Sequence, residues 1–141
     1  MRFWDASAVV PLIIGEEPDP VVENVYSPEP MVVWWGTVVE TTSALARRER
    51  DGELNAAAVS RSLGLLEVMA SMWREVPPSD ALRRAARRLL QVHPLRVADS
   101  LQLAAALSVA DSGNPGTIEF VCLDERLRQA AAREGLRLLP H

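Results

Sequence analysis

Short apolar runs alternate with longer stretches of helical period along this chain, and that alternation predicts its elements. Met1 to Trp4 reads as a short buried strand and Ala6 to Ile14 as a helix, ended by Gly15 and the acidic, proline-bearing stretch Glu16 to Pro20. A short helix around Val21 to Tyr26 leads through Pro28 and Pro30 into a β-rich run, Met31 to Trp35, which Gly36 breaks. Thr37 to Arg50 is helical with Asp51-Gly52 as its stop, and Leu54 to Trp73 is a second long helical pattern, so the two predict an αα-hairpin. Arg74 to Val76 is a candidate third strand. Pro77-Pro78, with Ser79 or Asp80 as N-cap, opens a helix from Ala81 to about Gln91. Val97 to Ala110 is apolar nearly all round, which predicts a helix buried on most sides and packed against the sheet. Ile118 to Cys122 is a strand, Glu125 to Glu134 a helix ending at Gly135, and Leu136 to Leu139 the last strand.

Short strands without a polar face, each followed by helix, predict a parallel sheet between two helical layers, a three-layer α/β/α fold. In such a sheet the ligand belongs at the carboxyl ends of the strands, where strand order reverses. No repeat, low-complexity segment or linker divides the sequence, so one domain over residues 1–141 is expected.

Composition narrows the chemistry. With 48% apolar and 24% charged residues, and no apolar run near the ~18 residues of a membrane span, the chain reads as a globular protein. Asp5 interrupts the apolar N-terminus and no basic leader precedes it, so a cytoplasmic location is expected. The lone Cys122, with only His93 and His141, cannot build a Cys/His zinc site, so a bound metal must be held by oxygen. All 15 basic residues are Arg. The absence of Lys excludes a Walker A loop and Schiff-base catalysis. It also argues against a phosphoacceptor receiver and a haloacid-dehalogenase-like phosphatase, which would in addition show Asp-x-Asp where this chain has Asp-Ala-Ser. A net charge of -4 provides no global attraction for nucleic acid; an RNA substrate would need a local Arg patch or a metal that reverses the sign of an acidic site.

Four acidic residues stand where such a site would form. Asp5 and Asp124 each end a predicted strand; the cap of the helix after the first could be Asp5 or Ser7, and Asp124 taken singly reads first as the N-cap of the helix that follows it. Asp99 has mostly apolar helical neighbours in Gln102, Leu103 and Ala106, so its carboxylate is costly there unless Arg96, three residues earlier, pairs with it. Glu40 lies in the first turn of a helix, where the dipole alone would favour it. Taken together, all four can converge on one sheet edge. Clustered carboxylates without His or Cys call for a hard cation, Mg²⁺ or Mn²⁺, which can activate water and neutralise a phosphodiester.

These residues carry a family resemblance across essentially the whole chain. Asp5-Ala-Ser7-Ala, Thr37-Val-Val-Glu40, Ala98-Asp99-Ser-Leu-Gln-Leu-Ala-Ala-Ala and Leu123-Asp124-Glu-Arg-Leu, in that order, resemble the PIN-domain proteins, and most of all the VapC-type toxin ribonucleases of bacterial toxin-antitoxin pairs. The resemblance implies an endoribonuclease in which Asp5, Glu40, Asp99 and Asp124 bind one or two divalent ions and carry catalysis. It implies that Ser7 supports the site through a hydrogen bond near Asp5. Cys122 stands where family members often carry Thr or Ser. Ser7 and Arg96 are the candidate substrate-binding residues, with the Arg47-Arg48-Arg50 helix end a further candidate; Arg83, Arg84, Arg87 and Arg88 read as a solvated helix face. The resemblance also implies a homodimer and a cognate antitoxin that lays a segment across the active-site face. A non-catalytic PIN-fold module that binds nucleic acid is the alternative. Trp34, Trp35, Trp73, Met69 and Met72 are core by default, although Trp73 and Met72 could serve a partner.

Overall fold

The structure, a computed structural model, describes residues 1–15, 17 and 19–141. Glu16 and Pro18, part of the expected stop of the first helix, lie outside the described residues. The elements in chain order are β1 (Arg2–Trp4), α1 (Ala6–Ile13), α2 (Pro20–Glu23), β2 (Val32–Trp34), α3 (Thr37–Arg50), α4 (Ala56–Ala70), β3 (Arg74–Val76), α5 (Asp80–Val92), α6 (Val97–Ser108), β4 (Glu119–Val121), α7 (Glu125–Arg133) and β5 (Arg137–Leu139). The five strands form one parallel sheet in the order β3-β2-β1-β4-β5.

Alternation along the strands builds two cores. Phe3, Val32, Trp34 and Phe120 point to one face, where Leu82, Leu89, Leu103 and Leu127 of α5, α6 and α7 cover them. Trp4, Val33 and Val121 point to the other, against Val9 and Ile13 of α1, Leu45 of α3 and Leu66 of α4. The chain runs from β1 through β2 to β3 with α1–α4 on one face, then crosses back beyond β1 to β4 and β5 with α5–α7 on the opposite face, as right-handed crossovers require. Strand order therefore reverses between β1 and β4. Asp5 N donates to Val121 O at 2.9 Å, pinning the residue after β1 against β4 at that point.

The predicted elements are all present; most have shorter ends, α3 keeps its predicted bounds, α2 starts one residue earlier, and α5 runs from Asp80 to Val92, slightly beyond the predicted Ala81 to about Gln91. Each strand has three residues, although pairing continues past them: Trp35 N donates to Val76 O and Cys122 N to Leu139 O, both at 3.0 Å. The second helix of the αα-hairpin stops at Ala70 rather than Trp73 because Trp73 turns into the core, with its Nε1 donating to Glu75 at 3.0 Å. The buried helix stops at Ser108 rather than Ala110. Two 3-10 turns, Asp111–Gly113 and Pro115–Thr117, which hydrophobic periodicity does not mark, carry the chain into β4, held by Thr117 Oγ1 as it accepts from Asp111 N and donates to Asn114 O. Trp34 and Trp73 are buried as expected. Trp35 and Met72 are not core: they are 54% and 61% exposed. No helix among the described residues is long and apolar enough to cross a membrane.

Candidate active site

A cavity of about 550 Å³ opens at the carboxyl edge of the sheet where strand order reverses. Asp5, Glu40, Asp99 and Asp124 all line it, together with Ser7, Arg47, Arg48 and Arg96. Residues far apart in sequence meet here because β1, α3, α6 and the end of β4 all deliver their termini to one edge.

Asp5 is both a helix cap and a wall of the cavity. Its backbone is extended, its Oδ2 accepts from Ser7 N at 3.1 Å and from Ser7 Oγ at 2.5 Å, and it is 4% exposed. Burial pushes its carboxyl pKa up, the Ser7 hydrogen bonds oppose that, and the negative charge of Asp99 adds to the rise. Ser7 Oγ also accepts from Leu123 N at 2.9 Å, so a single hydroxyl ties the end of β1 to the end of β4. Cys122 completes this floor: its buried Sγ is 3.6 Å from Asp5 Oδ2 and from Ser7 Oγ. Burial, and then the charge of Asp5, drive the thiol pKa far up, so Cys122 is a neutral donor and not a thiolate.

Glu40 projects from the first turn of α3 and is held by a residue that hydrophobic patterning assigns to the core. Gln102 Nε2, on α6, donates to Glu40 Oε2 at 3.0 Å and to Thr37 Oγ1 at 3.1 Å, and Gln102 is fully buried. Burial pushes the Glu40 pKa up to about 7; the Gln102 hydrogen bond opposes the rise and the charges of Asp5 and Asp99 reinforce it. Gln102 was missed as a site residue. The available signal was its position one helical turn beyond Asp99, hence on the same face, as a polar side chain in an otherwise apolar helix.

Asp99 and Asp124 share one cation. Arg96 Nε donates to Asp99 Oδ2 at 3.2 Å and its Nη2 to Asp124 Oδ2 at 3.3 Å. Asp124 at the same time caps α7 by accepting from Leu127 N at 3.1 Å through Oδ1. The cap and ion-pair readings of these acids are thus correct, and each carboxylate still faces the cavity. Arg96, expected to face substrate, is engaged by two acids in this structure, although its side chain is 67% exposed at the cavity mouth. Of the Arg47-Arg48-Arg50 group, Arg47 and Arg48 line the cavity and Arg50 does not.

Among the described residues, no three His, Cys, Asp or Glu side chains are gathered tightly enough to enclose an ion. The donor set nevertheless suits a hard dication: four carboxylates without imidazole or thiolate ligands surround a roomy cleft, and Mg²⁺ commonly keeps several waters while touching one or two carboxylates. Asp5 and Glu40 are pushed toward protonation by burial and by neighbouring carboxylates, Asp99 acting on both, a cost that a cation would remove.

No protein-family model matches the chain. Among solved structures it is similar to the crystal structure of FitAcB from Neisseria gonorrhoeae (TM-score 0.67, 15% identity, covering 98% of this chain and 96% of that one). It is also similar to PAE2754 from Pyrobaculum aerophilum (TM-score 0.62, 22% identity, 98% and 88% covered). Fold and acid-lined switch point together define a PIN-fold protein. Among curated proteins it is 30% identical, over 147 aligned positions, to Ribonuclease VapC45 of Mycobacterium tuberculosis strain CDC 1551 / Oshkosh and to Ribonuclease VapC49 of strain H37Rv, covering 98% of this chain and 94% of each relative. The chain belongs to the VapC ribonuclease family.

Proposed function

We propose that this chain is a Mg²⁺- or Mn²⁺-dependent endoribonuclease acting from a single domain over residues 1–141, and the toxin of a toxin-antitoxin pair. The observation that carries this reading is the meeting of Asp5, Glu40, Asp99 and Asp124 in one cleft at the reversal of strand order, in a chain related to VapC ribonucleases over nearly its whole length. The four carboxylates would hold the ion. Bound there, it would supply positive charge against a phosphodiester in its transition state and favour ionisation of the attacking water. In the hydrolysis, the oxygen of water forms a bond to phosphorus, the bond to one ribose oxygen breaks, and that oxygen takes up a proton.

The chain's own residues set the stage for that reaction. Ser7 fixes the Asp5 carboxylate and Gln102 fixes that of Glu40, so two of the four acids are held by neutral donors. Arg96 is close enough to the acids to exchange a carboxylate for a substrate phosphate, and Arg47 and Arg48 supply further positive charge along the cavity wall. A cognate antitoxin segment covering this cleft, a homodimer and a cytoplasmic setting complete the reading.

Purified protein incubated with total RNA should yield fragments in Mg²⁺ that are absent in EDTA and absent for Asp99→Asn. Intact RNA in Mg²⁺ and Mn²⁺, with protein shown free of bound inhibitor, would point to a PIN-fold binding module instead.

A further inference from the structure

Helix α3 turns one stripe of its surface toward the acidic cleft. The residues it contributes come in pairs one turn apart, Val39 and Glu40, Ser43 and Ala44, Arg47 and Arg48, so the stripe runs from the first turn of the helix to its last. Glu40 opens it, and Arg47 lies two turns on, roughly 10 Å along the axis. The turn between them presents Ser43 and Ala44, two small side chains, so no bulky group of α3 separates the carboxylate from the guanidinium.

A second concavity, of about 270 Å³, adjoins the cleft at the arginine end, and Ala44, Arg47 and Arg48 line both. The rest of its wall is acidic, Asp51 and Glu53. The two arginines at the junction differ. Arg48 is occupied, its Nη1 donating to Glu53 Oε2 at 3.2 Å. Arg47 is exposed and makes no ion pair among the described residues. The helix dipole favours basic residues in the last turn of α3, and Arg50 serves that purpose as well, yet Arg50 lines neither concavity. Across the cleft, Arg96 is committed to Asp99 and Asp124. Arg47 is therefore the uncommitted cation on the wall of a cleft whose other end is negative. A strand with one phosphate among the four carboxylates needs its next phosphate held elsewhere, because those acids repel it. Past Arg47, Asp51 and Glu53 return the wall to negative charge, so the track has room for one such phosphate and then stops.

We propose that Arg47 forms a second phosphate subsite, which holds a single uncut phosphate of an RNA strand laid along α3, a near neighbour of the phosphate that is cut. It rests on the ribonuclease reading for the identity of the strand.

The test is fluorescence anisotropy of a short unstructured RNA in EDTA, where no cleavage occurs, with Arg47→Ala and Arg50→Ala, each checked for an unchanged melting temperature. Both variants remove one positive charge from the last turn of α3, so a general loss of attraction falls on both alike. Arg47→Ala should bind about tenfold more weakly than Arg50→Ala, and its plot of log affinity against log salt should be shallower by about 0.7, the share of one single-strand phosphate. Cleavage in Mg²⁺ then locates the phosphate. An RNA cut at a mapped bond is remade with one neutral methylphosphonate at each neighbouring position in turn; one position should slow wild type and cost Arg47→Ala nothing further. Wild-type protein that cleaves RNA, with Arg47→Ala and Arg50→Ala alike in binding, would overturn the subsite and leave the ribonuclease standing. Methylphosphonate positions that slow wild type and Arg47→Ala equally would assign those phosphates to other residues and overturn it too. Wild-type protein that neither binds nor cleaves RNA would remove both readings.

Discussion

Gln102 Nε2 donates to Glu40 Oε2 at 3.0 Å, joining α6 to the first turn of α3 across 62 residues of sequence. The amide is fully buried and its Oε1 has no partner among the described residues, so this polar side chain is kept in the core for what its nitrogen holds.

Gln102→Leu should therefore separate function from stability. Leu removes the orphan oxygen as well as the donor, so unfolding free energy by urea titration should change by no more than about 1 kcal/mol. RNA cleavage should fall roughly 10- to 100-fold, the usual cost of losing a group that orients a metal-binding carboxylate. A large loss of stability with unchanged specific activity would make Gln102 a packing residue only.

Arg96 is the counter-ion of Asp99 and Asp124, so it competes with any other cation for them. Arg96→Gln should bind Mn²⁺ about two- to tenfold more tightly than wild type, the range expected for exposed ion pairs. Mn²⁺-dependent shifts in melting temperature measure this directly. Asp99→Asn should remove the shift, and a weaker Mn²⁺ response in Arg96→Gln would show that the arginine assists the ion.

Glu40 makes the metal-free protein less stable as pH rises. Its pKa in the folded chain is raised from 4.5 to about 7, so folding is favoured while the group is protonated in both states, and that advantage is lost as pH climbs from 4.5 to about 7. Glu40→Gln should then match wild type near pH 4.5 and exceed it at pH 8, as read from urea midpoints in EDTA. Equal midpoints at pH 8 would mean that the carboxylate is better solvated than its surroundings indicate.

Glu134 has the opposite sign. Hydrogen bonds accepted from Arg88 at 2.7 Å and from His93 Nε2 at 2.7 Å hold its carboxyl pKa below the ordinary 4.5, against a smaller cost of burial. A depressed carboxylate contributes stability that is complete above about pH 4.5 and is lost as pH falls through the depressed value. Acid unfolding of wild type should steepen below pH 4.5, and Glu134→Gln should lack that component while being less stable at neutral pH.

Much of the site could be read from sequence because its residues sit at element ends. Asp5 and Asp124 end apolar strands just before helices, and Asp99 interrupts an apolar helix where a carboxylate is costly. Their apparent ambiguity was a false choice: Asp124 caps α7 with Oδ1 and meets Arg96 with Oδ2, two roles for one carboxylate. Gln102 and Cys122 were harder to read as site residues because each satisfies the local pattern of a buried helix or strand. Their meaning is set by Glu40 and Asp5, which lie 62 and 117 residues away.

The sequence by itself determined the α/β alternation, the positions of the helices and the all-parallel class of the sheet, because periods of 2 and 3.6 and the local chemistry of caps and turns act within a few residues. It also determined which acids were available. Only the tertiary structure decided that β1 lies between β2 and β4, that Arg96 bridges two acids on different elements, and that Trp35 faces solvent when its neighbour Trp34 is buried. Those outcomes depend on which strands pair and which helices cover each face, relationships between distant residues that no local pattern encodes.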